Sequence, residues 1–96
     1  MGDVIGSTAV LGTWVRAARL AQGFTRDELA NATGLSAKFI SQVEAGKPTA
    51  QIGKVLQLLT ELGVTLHAKT SIEIPPETLK AASQRRRQHR NDDSNT

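Results

Sequence analysis

The chain has 96 residues, of which 39% are hydrophobic and 22% are charged, and its 12 Lys and Arg residues exceed its 9 Asp and Glu residues to leave a formal net charge of +3. A single domain of this size has one core and little room for an enclosed catalytic cleft, so we expect no enzyme and no catalytic residues. The absence of cysteine excludes disulfides and Cys-based zinc sites and favours a reducing cytoplasm.

The sequence divides into an N-terminal segment (1–10), a folded head (11–70) and a tail (71–96). From about Pro75 onward, Leu79 is the only large apolar residue, which is too little apolar surface to offset the entropy of ordering the segment. A basic run at 85–90 and an acidic, polar end follow. We therefore predict a mobile basic tail. No apolar run in the chain reaches the roughly 20 residues of a transmembrane helix, so no membrane role is expected.

The first helical pattern extends from Leu11 to Gln22. Leu11, Val15 and Ala18 lie at positions i, i+4 and i+7, which gives the helix one apolar face. Gly23 follows the pattern and favours a helix end, because glycine readily adopts the left-handed conformation. This pattern predicts an amphipathic helix that packs against a core.

The second helical pattern begins at Thr25 and stops at Gly34. The Thr25 hydroxyl can cap the helix, and Glu28 three residues later completes a capping box. Leu29 and Ala30 are predicted to face the core. The pattern therefore indicates a short helix with a well-defined start.

The third pattern is also short and follows the second after a tight turn. Ser36 is placed to cap it, and Ile40 and Val43 lie on its apolar face. A small residue at the helix crossing, Ala30, and a glycine in the turn, Gly34, are typical of the helix-turn-helix unit that inserts its second helix into the major groove of DNA. An ordinary pair of antiparallel helices has the same features, so both interpretations are open from these positions alone.

The fourth pattern extends from Thr49 to Leu62 and ends at Gly63. Its predicted apolar stripe consists of Ile52, Val55, Leu56, Leu59 and Leu62. Residues 64–68 then alternate apolar with polar, which predicts a β-strand. A lone strand cannot satisfy its own backbone, so we expect it to pair with the same strand of a second copy. The predicted dimer contacts are Leu58, on the outer face of the fourth helix, with Val64, Thr65, Leu66 and His67.

Three runs of residues, Gly23–Ala30, Gly34–Ser36 and Ile40–Lys47, resemble the Xre family of phage-repressor-like helix-turn-helix proteins, and the resemblance covers about residues 11–63. The continuation after Gly46, the leucine-rich fourth helix, the strand and the short tail are similar to HipB-type antitoxins within that family. The resemblance implies an all-α, lambda-repressor-like domain of four to five short helices, with one C-terminal β-strand that pairs across a homodimer.

The resemblance also implies which residues contact DNA. The base-reading positions correspond to Ala37, Lys38 and Gln42. Gln42 can form a bidentate pair with adenine, Lys38 can donate to guanine or to a phosphate, and Ala37 can pack on a thymine methyl group. The implied phosphate contacts are Thr25, Arg26, Ser36, Ser41 and Lys47. The family usually has glutamine where this chain has Arg26, and arginine retains the phosphate contact.

Arg19 and Glu44 occupy positions that form an ion pair in the family. The pair orients the recognition helix and reads no sequence, and the alternative is two unpaired surface charges. Phe39 can either insert toward DNA or pack on the core. Trp14 lies off the apolar stripe of the first helix, so we expect it to be exposed or to pack in an interface.

The function that the resemblance implies is a sequence-specific repressor of a palindromic double-stranded operator. It would act as a homodimer and as the antitoxin of a HipA-like kinase toxin, and would repress the operon that both share. The alternatives are a stand-alone phage-type regulator without a toxin and an interaction adaptor that binds no DNA. His67 and His89, without cysteine or suitably spaced carboxylates, do not predict a metal site, and no cofactor is expected.

Overall fold

The computed structural model describes the backbone of residues 3–93 and the side chains of residues 3–84. Within that part of the chain the secondary structure is entirely helical. The helices are α1 (Thr8–Ala21), α2 (Arg26–Thr33), α3 (Ala37–Glu44), α4 (Ile52–Leu62) and α5 (Pro76–Asp93). The chain forms two compact units, residues 1–66 with α1 to α4 and residues 67–96 with α5.

The first unit has one core, to which each of its four helices contributes. Its buried hydrophobic residues are Val15, Leu29, Ile40, Val43, Val55, Leu58, Leu59 and Leu62. Leu11, Ala18, Ala30 and Leu35 are partly buried and pack against this cluster. The predicted apolar faces of the first three helices are confirmed, because each turns its spaced apolar residues toward the same cluster.

The fourth helix differs from its prediction in its start and in its buried face. It begins at Ile52 after the N-cap residue Gln51, whereas the sequence predicted a start at Thr49. The prediction that Leu58 lies on the outer face is wrong, because its side chain is completely buried. Ile52 and Leu56, predicted to be buried, are instead 65% and 45% exposed. Leu58 therefore belongs to the core of its own protomer and is not available as a dimer contact.

Side-chain caps fix the starts of α1 and α2. The Ser7 Oγ accepts a hydrogen bond from the Val10 amide at 3.1 Å, so α1 starts inside the segment 1–10. In α2 the Thr25 Oγ1 accepts from the Glu28 amide at 3.0 Å, and the Thr25 amide donates to the Glu28 Oε1 at 2.8 Å. This capping box, which the sequence predicted, lowers the pKa of the Glu28 carboxyl, because the hydrogen bonds from Thr25 favour its charged form.

Two glutamine side chains bind the carboxyl ends of neighbouring helices. The Gln22 Nε2 donates to the Leu62 carbonyl oxygen at 2.9 Å, and the Gln57 Nε2 donates to the Thr33 carbonyl oxygen at 2.8 Å. The last carbonyls of a helix have no partner within the helix, so these bonds satisfy groups that would otherwise depend on water. They connect α1 to α4 and α4 to α2.

The second unit contains a helix that the sequence did not predict. Pro76 occupies the first helical position, where the fixed φ of proline suits a helix. Proline has no amide hydrogen to donate, but at this position no carbonyl within the helix would accept one. Leu79, Lys80, Ala81 and Ala82 then follow, and all are strong helix formers. The expectation of a tail without secondary structure rested on its few apolar residues and gave no weight to this local propensity. The side chains of the basic run 85–90 lie outside the described residues, and tail mobility stays a prediction.

Residues 64–70 form neither helix nor strand in the single chain. A strand is defined by backbone hydrogen bonds to a neighbouring strand, and a single chain offers no such neighbour here. The strand and its pairing across a homodimer therefore stay predictions. Across the described part of the chain, no helix has both the length and the apolar character that crossing a bilayer would require.

Candidate nucleic-acid interface

The outward face of α3 carries the three residues predicted to read bases. Lys38 is exposed, and Ala37 and Gln42 are half-buried. Ile40 and Val43 lie on the opposite side of α3 and are buried in the core. Because the buried side anchors the helix, the position of the other side, with one cation and one amide, is fixed relative to the core.

The residues predicted to contact phosphates lie at the starts of α2 and α3, within α3 and just after it. Thr25 and Ser36 are the N-caps of α2 and α3, and each side-chain oxygen accepts an amide of its own helix. Each hydroxyl hydrogen is still free to donate to a phosphate, because a hydroxyl both accepts and donates. Ser41 and Lys47 are exposed, and the Lys47 amide donates to the Gln42 carbonyl oxygen at the end of α3.

The structure brings Arg19 and Glu44 together in a bidentate ion pair. The Arg19 Nε donates to the Glu44 Oε2 at 2.6 Å, and the Arg19 Nη2 donates to the Glu44 Oε1 at 3.0 Å. The remaining Nη1 donates to the Phe24 carbonyl oxygen at 2.8 Å. Both side chains are almost completely buried, with 6% and 2% exposed. The hydrogen bonds to Glu44 raise the pKa of Arg19 above its ordinary value, and the pair connects α1 to the last residue of α3.

Arg26 approaches the same carboxylate from α2. Its Nε donates to the Glu44 Oε1 at 3.2 Å, and its Nη2 lies 3.1 Å from that oxygen. The Arg26 side chain is 42% exposed, so part of the guanidinium also faces solvent. Arg26 therefore braces α3 and retains a surface that can bind a phosphate. The sequence assigned it only the phosphate contact.

The backbones of α1 and α3 are in direct contact at Gly12. A Cβ atom at this position would lie 2.4 Å from the Val43 carbonyl oxygen and 2.6 Å from the Glu44 carbonyl oxygen, so only glycine fits. Beside it, the Thr8 Oγ1 donates to the Gly46 carbonyl oxygen at 2.7 Å. These contacts fix the carboxyl end of α3 against α1. The sequence-based predictions did not include this contact, although a glycine inside a helical pattern is itself a signal of close packing.

The two aromatic residues left open by the sequence have different positions. Phe39 is half-buried and packs against the core at the edge of α3. Trp14 lies on the outer side of α1, where 37% of it is exposed, and Val10 on the same side is 38% exposed. Phe39 therefore packs on the core, and Trp14 belongs to a partly exposed apolar surface.

Comparison with known proteins identifies the family. The helix-turn-helix family model matches residues 15–68. Over 66 residues the chain is 48% identical to an uncharacterized HTH-type transcriptional regulator, y4mF, of Sinorhizobium fredii, and the match covers 69% of this chain and 87% of that protein. The chain therefore belongs to the Xre-like helix-turn-helix family of transcriptional regulators. Within the described residues, no three His, Asp or Glu side chains are grouped to hold a metal ion.

Solved structures of HipB have the same fold. One, described as a HipB-O4 20mer complex, has a TM-score of 0.67 and 21% sequence identity, and the likeness covers 74% of this chain and 100% of that one. Another, of a HipA-HipB-O2-O3 complex, gives the same TM-score, identity and coverage. At this identity the likeness establishes the helix-turn-helix fold.

Proposed function

We propose that the chain is a sequence-specific transcriptional repressor that reads its operator with α3. The observation that carries this proposal is the geometry of α3. One side places Lys38 and Gln42 toward solvent, and the other is fixed by buried apolar residues and by the ion pairs of Glu44. A reading helix must present its side chains in a fixed orientation, because bidentate contacts to base edges tolerate little movement. HipB, which shares the fold, is described in a complex with an O4 20mer.

Replacing Gln42 by alanine is expected to relax specificity at one base position in each half-site, at a cost of roughly 1 to 3 kcal/mol in binding free energy. Lys47→Gln is the matched variant on the same interface. It is expected to weaken binding to all sequences alike and to flatten the salt dependence, because it removes a phosphate contact only. Fluorescence anisotropy on operator and single-base variants separates the two patterns. Unchanged affinity and base preference in Gln42→Ala would remove α3 from base reading.

The homodimer in this proposal is supported by the segment after α4, which is neither helix nor strand. Residues 64–70 follow α4 without a partner for a β-ladder in the single chain. Beside the start of this segment lies an open groove of about 340 Å³, lined by Leu56, Leu59, Thr60, Gly63, Val64, Thr65 and Leu66. Pairing of this segment with the same segment of a second copy would satisfy both backbones at a two-fold axis and cover the groove.

Thr65→Pro is expected to weaken the dimer, because proline removes a backbone donor from the predicted ladder. Thr65→Val is the control, since it retains the amide and the β-branched shape that strands favour. Sedimentation velocity over a range of concentrations is expected to give a larger monomer fraction for the proline variant only. A proline variant as dimeric as the wild-type protein would contradict a dimer based on this segment.

We further propose that the repressor is the antitoxin of a HipA-like kinase toxin and represses the operon that both share. The fold likeness includes a structure of a HipA-HipB-O2-O3 complex. The tail also carries apolar side chains that a bare DNA-binding domain does not need, since Ile72, Ile74 and Leu79 are exposed. The alternatives are a stand-alone regulator without a toxin and an adaptor that binds no DNA.

Deletion of residues 71–96 is expected to weaken toxin neutralisation and to spare operator binding, because the first unit contains the whole α3 site. We expect the toxin to dock mainly on the folded dimer and secondarily on the tail, so neutralisation should fall without being lost. Growth rescue on co-expression with a HipA-like kinase toxin measures it. Full neutralisation by the truncated chain would exclude the tail, and no co-purifying kinase would favour the stand-alone regulator.

A further inference from the structure

A lysine on α4 lies beside the reading helix and is held there by an aromatic ring. The Lys54 Nζ is 5.9 Å from the centroid of the Phe39 ring. Phe39 is in the first turn of α3 and is half-buried against the core, whereas Lys54 is exposed in the first turn of α4. A cation above an aromatic face is attracted by the ring quadrupole, so the ring favours one position of an otherwise flexible side chain.

Lys54 has no ion-pair partner within the described part of the protein. The ion pairs found there involve Arg19 and Arg26 on Glu44, and no described carboxylate lies within ion-pair distance of Lys54. A positioned but uncompensated cation on a surface is suited to an anionic ligand. Because Lys54 lies next to α3, the ligand that fits is the phosphate backbone of the DNA that α3 is proposed to read.

Each of the two edges of the exposed face of α3 carries a residue that contacts a cation from another helix. Successive residues of a helix are 100° apart, so Phe39 and Glu44 lie on opposite edges of the face that carries Lys38 and Gln42. Glu44 holds Arg26 at one edge, and Phe39 holds Lys54 at the other. A helix in the major groove has a sugar–phosphate strand on each side, so a cation at each edge faces one strand.

We propose that Lys54 is a phosphate-binding residue of the DNA interface and that Phe39 positions it. This inference rests on the proposed function. In it, Arg26 and Lys54 bind the phosphates of the two strands that border the groove, and together they hold α3 at a fixed depth. Neither residue reads bases, so the contribution of Lys54 is independent of sequence and sensitive to salt.

The test is the salt dependence of operator binding, measured by fluorescence anisotropy. Lys54→Gln is expected to lower affinity for operator and for non-specific DNA by a similar factor, roughly 3- to 10-fold, and to reduce the slope of log K against log salt by about 0.9. Lys54→Arg is expected to retain both values. Arg16→Gln is the control, because it removes the same charge from an exposed position of α1.

The role of Phe39 is tested by a double-mutant cycle. Phe39→Leu retains an apolar residue. It is expected to weaken DNA binding in the wild-type background but to have no further effect on DNA binding in the Lys54→Gln background. An equal loss in both backgrounds would mean that Phe39 acts only through packing, and would overturn its positioning role. If the salt slope of Lys54→Gln equalled that of Arg16→Gln, the phosphate contact of Lys54 would be overturned. DNA binding by the wild-type protein would in that case leave the proposed function intact. A wild-type protein that binds no DNA would overturn both.

Discussion

Replacing Arg19 by alanine is expected to lower the free energy of unfolding by about 3 kcal/mol or more. The change removes the two hydrogen bonds that Arg19 donates to Glu44 and the one that it donates to the Phe24 carbonyl oxygen. It leaves a carboxylate that is 2% exposed with only the partly exposed Arg26 as its partner. An exposed ion pair is worth about 1 kcal/mol or less, so burial is what makes this effect large. Denaturant unfolding followed by circular dichroism measures the change.

The pairing itself is tested by combining Arg19→Ala with Glu44→Ala. The double variant is expected to lose less stability than the sum of the two single variants, with a coupling of about 1 to 3 kcal/mol. Arg16→Ala, on the exposed side of the same helix, is expected to change stability by no more than about 0.5 kcal/mol. Additive losses in the cycle would show that the two residues do not stabilise the fold as a pair.

Gly12→Ala is expected to destabilise the first unit by about 2 to 3 kcal/mol, although alanine is the better helix former by about 1 kcal/mol. The added Cβ atom would overlap the carbonyl oxygens of Val43 and Glu44, which are backbone atoms, so α3 must move away from α1. The same unfolding measurement detects the loss. DNA affinity is expected to fall as well, because the displaced end of α3 also carries Glu44.

Gly53→Ala is the matched control for Gly12→Ala. Gly53 also lies inside a helix, and a Cβ atom there would have no neighbour within 4 Å. The substitution is therefore expected to stabilise the protein by about 0.4 to 1 kcal/mol through helix propensity and the reduced entropy of the unfolded chain. Equal effects of the two substitutions would contradict the close approach of α1 and α3.

The substitutions Arg19→Ala and Gly12→Ala both act on the carboxyl end of α3. Gly12 lets the backbone of α1 reach the carbonyls of Val43 and Glu44, and Arg19 binds the Glu44 side chain from the same helix. Arg26 adds a contact from α2. The orientation of α3, which we propose as the reading helix, therefore depends on a few contacts at its carboxyl end.

Local signals predicted the central helices well. The starts of α2 and α3 follow from Thr25 and Ser36, and the end of α2 follows from Gly34, because caps depend on residues a few positions apart. The resemblance supplied the ion pair of Arg19 and Glu44. No local pattern connects residues in two separate helices, so spacing alone did not predict that contact.

Other features depend on neighbours that the sequence does not reveal. The leucine-rich α4 has overlapping apolar stripes, and only its packing against α1 and α2 decides that Leu58 is buried and that Leu56 is exposed. The close approach at Gly12 and the ring beside Lys54 likewise arise from packing between helices. A strand at 64–68 requires a second chain. Helix α5 forms from local propensity, which an argument based only on apolar content overlooks.

Selection of bound sequences from a random duplex library tests most directly whether α3 of a homodimer reads a defined DNA sequence, as we propose. The wild-type protein is expected to enrich a two-fold symmetric site with half-sites about 10 base pairs apart, centre to centre. A variant with both Lys38→Ala and Gln42→Ala is expected to lose base preference in each half-site while retaining non-specific binding. A wild-type selection without a symmetric motif, or the same motif enriched by the double variant, would contradict the claim.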